Sequence, residues 1–168
     1  FVKQPMVELT ETLADFGPFH MFRPYNDVRF SKNKPPYKTA QGAYGESEGG
    51  TGYYVQFSAA GLMVGSGYYA MAKDQLERFR TAIDGDATGS ELADLVADAE
   101  KRKYTIGAID ELKTAPRGYP KDHPRIELLR RKGLIAVREF GAPKWIHTAG
   151  AATRVRDTWT GVADLCAW

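Results

Sequence analysis

The chain has 168 residues, 43% of them apolar and 12% aromatic, which is enough to bury the core of one domain. No run approaches the roughly 18 consecutive apolar residues of a membrane span, and Phe1-Val2-Lys3-Gln4-Pro5 lacks the basic-then-apolar order of a signal peptide. A single cysteine, Cys166, excludes an internal disulfide and any metal or cluster site built from several cysteines, so a soluble protein of the reducing cytoplasm, without a membrane partner, is expected.

The formal charge of +2 is too small to point to nucleic acid by itself, but the charges are unevenly spread. Arg23 to Lys38 holds five basic residues against Asp27 alone, and Lys113 to Lys132 holds seven against Asp122 and Glu127. Asp84 to Glu100 carries six acids and no base, so a polarised surface follows if the two basic stretches fold together.

In chain order, Val2, Met6, Leu9, Leu13 and Phe16 recur at steps of three and four, which predicts an amphipathic helix ending at Gly17-Pro18. Pro5 falls in its first turn, where a missing backbone donor costs nothing. A short extended piece is expected after Arg23-Pro24, and Pro35-Pro36 forbids helix in the basic segment that follows. Gln41 to Ser47, Gly52 to Ser58 and Leu62 to Tyr69 are separated by glycine-rich punctuation and predict consecutive hairpins. In the middle run Tyr53, Val55 and Phe57 alternate with Tyr54, Gln56 and Ser58, giving one packing face and one wet face.

Ala72, Leu76, Phe79 and Ile83 predict a second helix closed at Asp84-Gly85, and Thr88 with Glu91 has the spacing of a capping box opening a third. Tyr104 to Ile109 reads as a strand, and Pro116 to Pro124 as a long loop that delivers Asp122 or His123 as the cap of a short helix stopped at Gly133. Leu134 to Phe140 is a further strand. Ala149, Ala152, Val155, Trp159, Val162 and Cys166 predict one C-terminal helix with an apolar stripe. Strands bunched between helices give an α+β class: an antiparallel meander sheet packed by amphipathic helices, as a single domain over residues 1–168.

Most chemical motifs fail. His20, His123 and His147 are far apart, so no metal site is expected, and no glycine-rich stretch carries a phosphate loop, a dinucleotide fingerprint or a nucleophile elbow; no cofactor is implied. Asp84 and Asp86 flank a helix-ending glycine and read as turn formers, and Cys166 reads as a small buried side chain. Lys101-Arg102-Lys103 and Arg130-Arg131-Lys132 each close a helix, where cations complement the negative end of the dipole.

One segment stands apart. Arg29-Phe30-Ser31-Lys32-Asn33-Lys34-Pro35-Pro36-Tyr37-Lys38-Thr39 gathers four cations, two hydroxyls and a tyrosine on a backbone stiffened by two prolines, a composition suited to phosphate or carboxylate. The loop Pro116-Arg117-Gly118-Tyr119-Pro120-Lys121-Asp122-His123-Pro124 has a similar makeup. The candidate ligand-binding set is therefore Arg29, Lys32, Lys34, Tyr37, Lys38, Arg117 and His123, with no catalytic residue assigned.

The string R-F-S-x-x-K-x-P-Y-K-T over Arg29 to Thr39 resembles the domain of unknown function 2461 family, conserved hypothetical proteins of bacteria and fungi. So do Gly52-Tyr53-Tyr54, Gly67-x-Tyr69, the helix with Leu76, Arg80 and Ile83, Pro116-Arg117-Gly118 and Asp122-His123-Pro124. Asn26 and Asn33 depart from the family pattern, which favours arginine and aspartate there. The resemblance implies a further N-terminal helical segment, in line with a first residue, Phe1, that is not an initiator methionine, and it implies no activity. A domain binding a small anionic ligand through the two basic loops is the leading expectation. The alternatives are nucleic-acid binding with Tyr37, Tyr53 or Tyr54 stacking on bases, an enzyme using His123 as acid or base with Arg117 or Lys34 stabilising charge, and a scaffold subunit presenting its tyrosine-rich strand face.

Overall fold

A computed structural model describes residues 3–24 and 37–168. The chain runs through α1 (Lys3–Thr12), a 3-10 turn (Ala14–Phe16), β1 (Phe19–Met21), β2 (Ala40–Glu46), β3 (Gly52–Ser58) and β4 (Gly61–Tyr68). It continues through α2 (Lys73–Asp84), α3 (Asp86–Lys101), β5 (Thr105–Gly107), α4 (Ile126–Arg130) and β6 (Leu134–Gly141) to a second 3-10 turn (Lys144–His147), α5 (Gly150–Thr160) and α6 (Ala163–Ala167). The strands form one antiparallel sheet in the order β1-β2-β3-β4-β6-β5, so the α+β class and the meander hold. Among the described residues no helix is long and apolar enough to cross a membrane.

The chain divides into two compact units, Phe1–Gly65 with Arg138–Thr160, and Ser66–Val137 with Gly161–Trp168. In the first, the stripe of α1 buries Met6, Leu9 and Leu13 against Ala43, Val55, Leu62, Val64 and Val155. Trp159 is the centre of this core. It is 1% exposed, and its indole Nε1 donates to the Gly65 carbonyl at 2.8 Å, which satisfies the polar end of a side chain otherwise taken out of water. Its rings lie 5.0 Å from Phe16, 5.2 Å from Tyr53 and 5.6 Å from Phe19, the last nearly parallel at 13°. Phe19 fits because Gly45, its partner across the β1–β2 ladder, has no side chain: a Cβ there would come within 2.8 Å of the Phe19 ring. Arg156 clamps the 3-10 turn from outside, donating from both terminal nitrogens to the Asp15 carboxylate and from Nη2 to the Thr12 carbonyl at 3.2 Å, so that the Asp15 carboxyl is held below its ordinary range.

The second unit has its own core of Phe79, Ile83, Leu92, Ala99, Tyr104, Ile106, Leu129, Leu134, Val162 and Leu165. Here a fixed guanidinium closes the C-terminus of α2. Arg125 donates from Nε to the Ile83 carbonyl at 2.7 Å and from Nη2 to the Asp84 carbonyl at 3.1 Å, occupying carbonyls that have no partner within the helix and placing a cation at its negative end. His123 sits beside it, 9% exposed. Its Nδ1 accepts the Arg125 backbone N–H at 3.0 Å, which leaves the proton on Nε2, and Nε2 meets Asp84 Oδ1 at 3.1 Å. Gly89 makes room for this clamp inside α3, because a Cβ there would stand 2.0 Å from the Ile83 carbonyl and 2.4 Å from Arg125 Nε. Arg80, on the α2 face towards α4, donates to the Leu129 carbonyl at 3.0 Å, and burial pushes its guanidinium down from the usual range against the opposing pull of Tyr119.

Three local expectations are corrected. Thr88 opens no capping box: α3 already begins at Asp86, and the Thr88 hydroxyl donates backward to the Ala82 carbonyl at 2.5 Å. The C-terminal stripe is two helices, because the chain breaks at Gly161 and Val162, so Val155 and Trp159 join the first core while Val162, Leu165 and Cys166 join the second. The short helix α4 has Arg125 at its cap position, with no side-chain cap bond, so neither Asp122 nor His123 caps it; the extended piece expected after Arg23-Pro24 lies outside the described residues, and a strand at Phe19–Met21 precedes it. Of the two basic runs, Lys101 stands in the last turn of α3 and Arg130 in that of α4; Arg102 pairs with Asp98 at 2.8 Å, Arg130 with Glu127 at 3.2 Å and Lys132 with Asp110 at 2.6 Å.

Three stability outcomes follow from this packing, each read from urea unfolding. Trp159→Ala is expected to cost about 3–5 kcal/mol, and Trp159→Phe less, through the orphaned Gly65 carbonyl. Gly89→Ala, a change that ordinarily adds about 1 kcal/mol inside a helix, is expected to destabilise here, since the new methyl displaces Arg125 from the end of α2. Burial raises the Cys166 thiol above its ordinary range, against a smaller opposing effect of the Ser66 hydroxyl 3.5 Å away. The folded protein therefore holds that proton more tightly than the unfolded chain, and the thiol's contribution is complete below about pH 8.5 and declines as pH rises beyond it. The stability difference between the wild-type protein and Cys166→Ala is expected to narrow between neutral pH and pH 9.5; a constant difference contradicts this.

Candidate functional site

The inner face of the β1–β2–β3 ladder is consumed by the Trp159 core, which leaves the outer face to do anything else. The register fixes who stands there. His20, Tyr44 and Tyr54 lie in one cross-strand row, and Gly42 with Gln56 in the next. Phe22 extends the second row just beyond β1, because its N–H donates to the Gly42 carbonyl at 2.9 Å and its own carbonyl accepts from Gln41 Nε2 at 2.7 Å.

Gly42 is the floor of a groove. Flanked by Phe22 and Gln56 in its own row and by Tyr54 in the next, it contributes no side chain, and a Cβ there would sit 3.1 Å from the Phe22 ring and 3.2 Å from the Tyr54 hydroxyl. The two rings lean over it with centroids 6.0 Å apart, and the resulting cavity of about 410 Å³ is also lined by Tyr37 and Lys38. The size falls within the roughly 300–1,000 Å³ of small-molecule sites. Phe22 is 41% exposed and Tyr37 65% exposed, so apolar ring surface faces water at the mouth.

The polar groups of the groove are predominantly donors. Lys38 is exposed, with its Nζ 5.6 Å from the Phe22 ring centroid, and among the described residues it has no carboxylate partner. Its backbone N–H donates to the Pro24 carbonyl at 2.8 Å. The Tyr54 hydroxyl donates to Gln56 Oε1 at 2.5 Å, fixing the amide so that its NH₂ is the group left to offer. Tyr44, in the neighbouring row, is raised above its usual range by burial and by Glu46, and so holds its proton.

The residues singled out from the sequence are distributed as follows. Tyr37 and Lys38 meet in the groove of the first unit. Arg29, Lys32 and Lys34 lie outside the described residues, as do Asn26, Asn33 and the Pro35-Pro36 pair. Arg117 belongs to the second unit, exposed on a turn in which the Tyr119 N–H donates to the Pro116 carbonyl at 3.2 Å. Gly118 takes the left-handed conformation there, φ 93°, that the third position of a type II turn requires. His123, in the same unit, has both ring nitrogens engaged in the α2 clamp. Phe22, Gly42 and Gln56 escaped the sequence reading. The signal for Gln56 was its place on the wet face of β3; Phe22 and Gly42 become visible only once the register sets them beside it.

Arg131 pairs with Glu111 at 3.6 Å and donates to the Ile106 carbonyl at 3.3 Å, so it belongs to the β5–β6 margin of the second unit. Among the described residues no three histidine, cysteine or carboxylate side chains gather as a metal site would need.

No curated protein and no solved structure matches this chain. The family of conserved hypothetical proteins DUF2461 matches residues 2–168, nearly the whole length, and the chain belongs to that family.

Proposed function

We propose that the protein binds a small anionic ligand, phosphorylated or carboxylated, in the groove over Gly42. The observation that carries this reading is a lysine, Lys38, standing on the rim of an aromatic-walled cavity without a carboxylate partner among the described residues. A cation with a neighbouring amide NH₂ suits an acceptor-rich ligand. The stiff ladder beneath lowers the entropy cost of holding those donors ready. Cytoplasmic residence accords with a lone thiol buried in the second core.

The enzyme reading through His123 has less support. A general base needs a free ring nitrogen within reach of substrate, and here Nδ1 already accepts a backbone N–H while Nε2 faces Asp84. The nucleic-acid reading keeps the exposed Tyr37 in its favour, but a net charge of +2 offers little long-range attraction to a polyanion.

Isothermal titration of the wild-type protein with inorganic phosphate, pyrophosphate and citrate tests the proposal, alongside Lys38→Ala and Arg117→Ala. Lys38→Ala is expected to weaken at least one of these anions tenfold or more, and binding is expected to fall with added salt because the cation is exposed. Equal affinity in the wild type and Lys38→Ala rejects the groove. Arg117→Ala reports separately on the basic turn of the second unit.

A further inference from the structure

A site meant for a bare anion needs cations and amides; it does not need rings. Yet the groove of the first unit is walled by Phe22 and Tyr54 and flanked by Tyr37, with aromatic surface left open to water at the first and last of these. Exposed aromatic surface is costly to maintain, and a contiguous patch of it beside polar groups marks a contact for something flat and apolar. We propose that the ligand is an aromatic anion: a molecule whose charged end meets Lys38 and whose planar ring lies against Phe22 and Tyr54. The inference rests on the anion-binding reading above and narrows it to a chemical class.

The geometry supports the division of labour. Ring centroids 6.0 Å apart and planes inclined at 44° form a shallow wedge too narrow to sandwich a third ring, so a ligand ring lies across its mouth against both, and Gly42 at its base lets the two side chains lean together. The Lys38 ammonium lies 5.6 Å from the Phe22 centroid, so a ligand ring laid across the mouth of the wedge leaves an anionic substituent within reach of that charge. The Gln56 amide, held by the Tyr54 hydroxyl at 2.5 Å, adds an NH₂ suited to the edge of a heterocycle or a phenol. A single nucleotide and an aromatic carboxylate share this chemistry, and the experiment separates them.

Titrations of the full chain would use adenosine 5′-monophosphate, ribose 5-phosphate, adenosine, 4-hydroxyphenylacetate, acetate and a single-stranded deoxythymidine oligonucleotide. The expected result is that either the nucleotide binds at least tenfold tighter than ribose 5-phosphate, or the aromatic acid at least tenfold tighter than acetate. Tyr54→Leu and Phe22→Leu should each remove most of that gain while leaving the ring-free anions unchanged, whereas Lys38→Ala should weaken both kinds. Gly42→Val, which fills the wedge from the floor, should abolish ring-dependent binding; circular dichroism and the urea midpoint report whether each variant is folded, and Phe22→Leu, at a surface position, serves where Tyr54→Leu is not. Ring-free anions binding as well as aromatic ones would overturn this inference and leave the anion site intact. No anion binding at all would overturn both. Tight oligonucleotide binding without mononucleotide binding would overturn it in favour of a nucleic-acid surface.

Discussion

The indole of Trp159 is the constraint on which the first unit is built. A buried tryptophan must satisfy one N–H and cover a large apolar surface, and here the Gly65 carbonyl does the first while Phe16, Phe19 and Tyr53 do the second. The consequence reaches the far side of the sheet. Because Phe19 and Tyr53 are pinned inward, the alternation of β1 and β3 forces Tyr54 and Gln56 outward, and Gly45 and Gly42 take the two positions of β2 where a side chain would collide with an aromatic ring. The groove is thus the outer image of the core: the packing that fixes one face sets the register, and the register sets the wedge on the other.

The second unit solves a different problem with polar groups. A helix that ends inside a packed structure leaves carbonyls without partners, and α2 ends against α3 with only Gly85 between them. Arg125 fills that gap with a branched donor, and His123 orients the approach by accepting the Arg125 N–H and facing Asp84. A lysine could not replace this arginine, since one ammonium lacks the fork needed to reach the carbonyls of Ile83 and Asp84 together. His123, which stood out in the sequence for its chemistry, therefore acts in the structure as part of a joint.

Much of the fold was legible because periodicity is a local property. The stripes of α1 and α2 and the alternation of β3 are each contained in about fifteen residues or fewer, and the strands from Ala40 to Tyr68 lie within a residue or so of where glycine punctuation puts them. What escaped depended on partners distant in sequence. The break at Gly161 could not be seen from a stripe that runs straight through it, since Trp159 and Val162 differ only in which core receives them. Thr88 matched a capping pattern but bonds backward to Ala82, the preceding helix having ended only two residues before α3 begins. Of the site, Tyr37 and Lys38 were legible through the composition of their segment, whereas Phe22 and Gly42 are neither charged nor patterned and gain meaning only from cross-strand placement.

The discontinuous make-up of the first unit bears on how the protein is made. Most of its sheet lies between Phe19 and Gly65, while the tryptophan that covers it arrives at position 159. During vectorial synthesis Phe16, Phe19 and Tyr53 emerge from the ribosome long before their lid, and at about 5–20 residues per second they wait several seconds with greasy surface uncovered. Residues Ser66–Val137 are produced in that interval. The nascent chain is therefore most exposed to chaperone capture and to self-association in the window just before its last turns of helix appear.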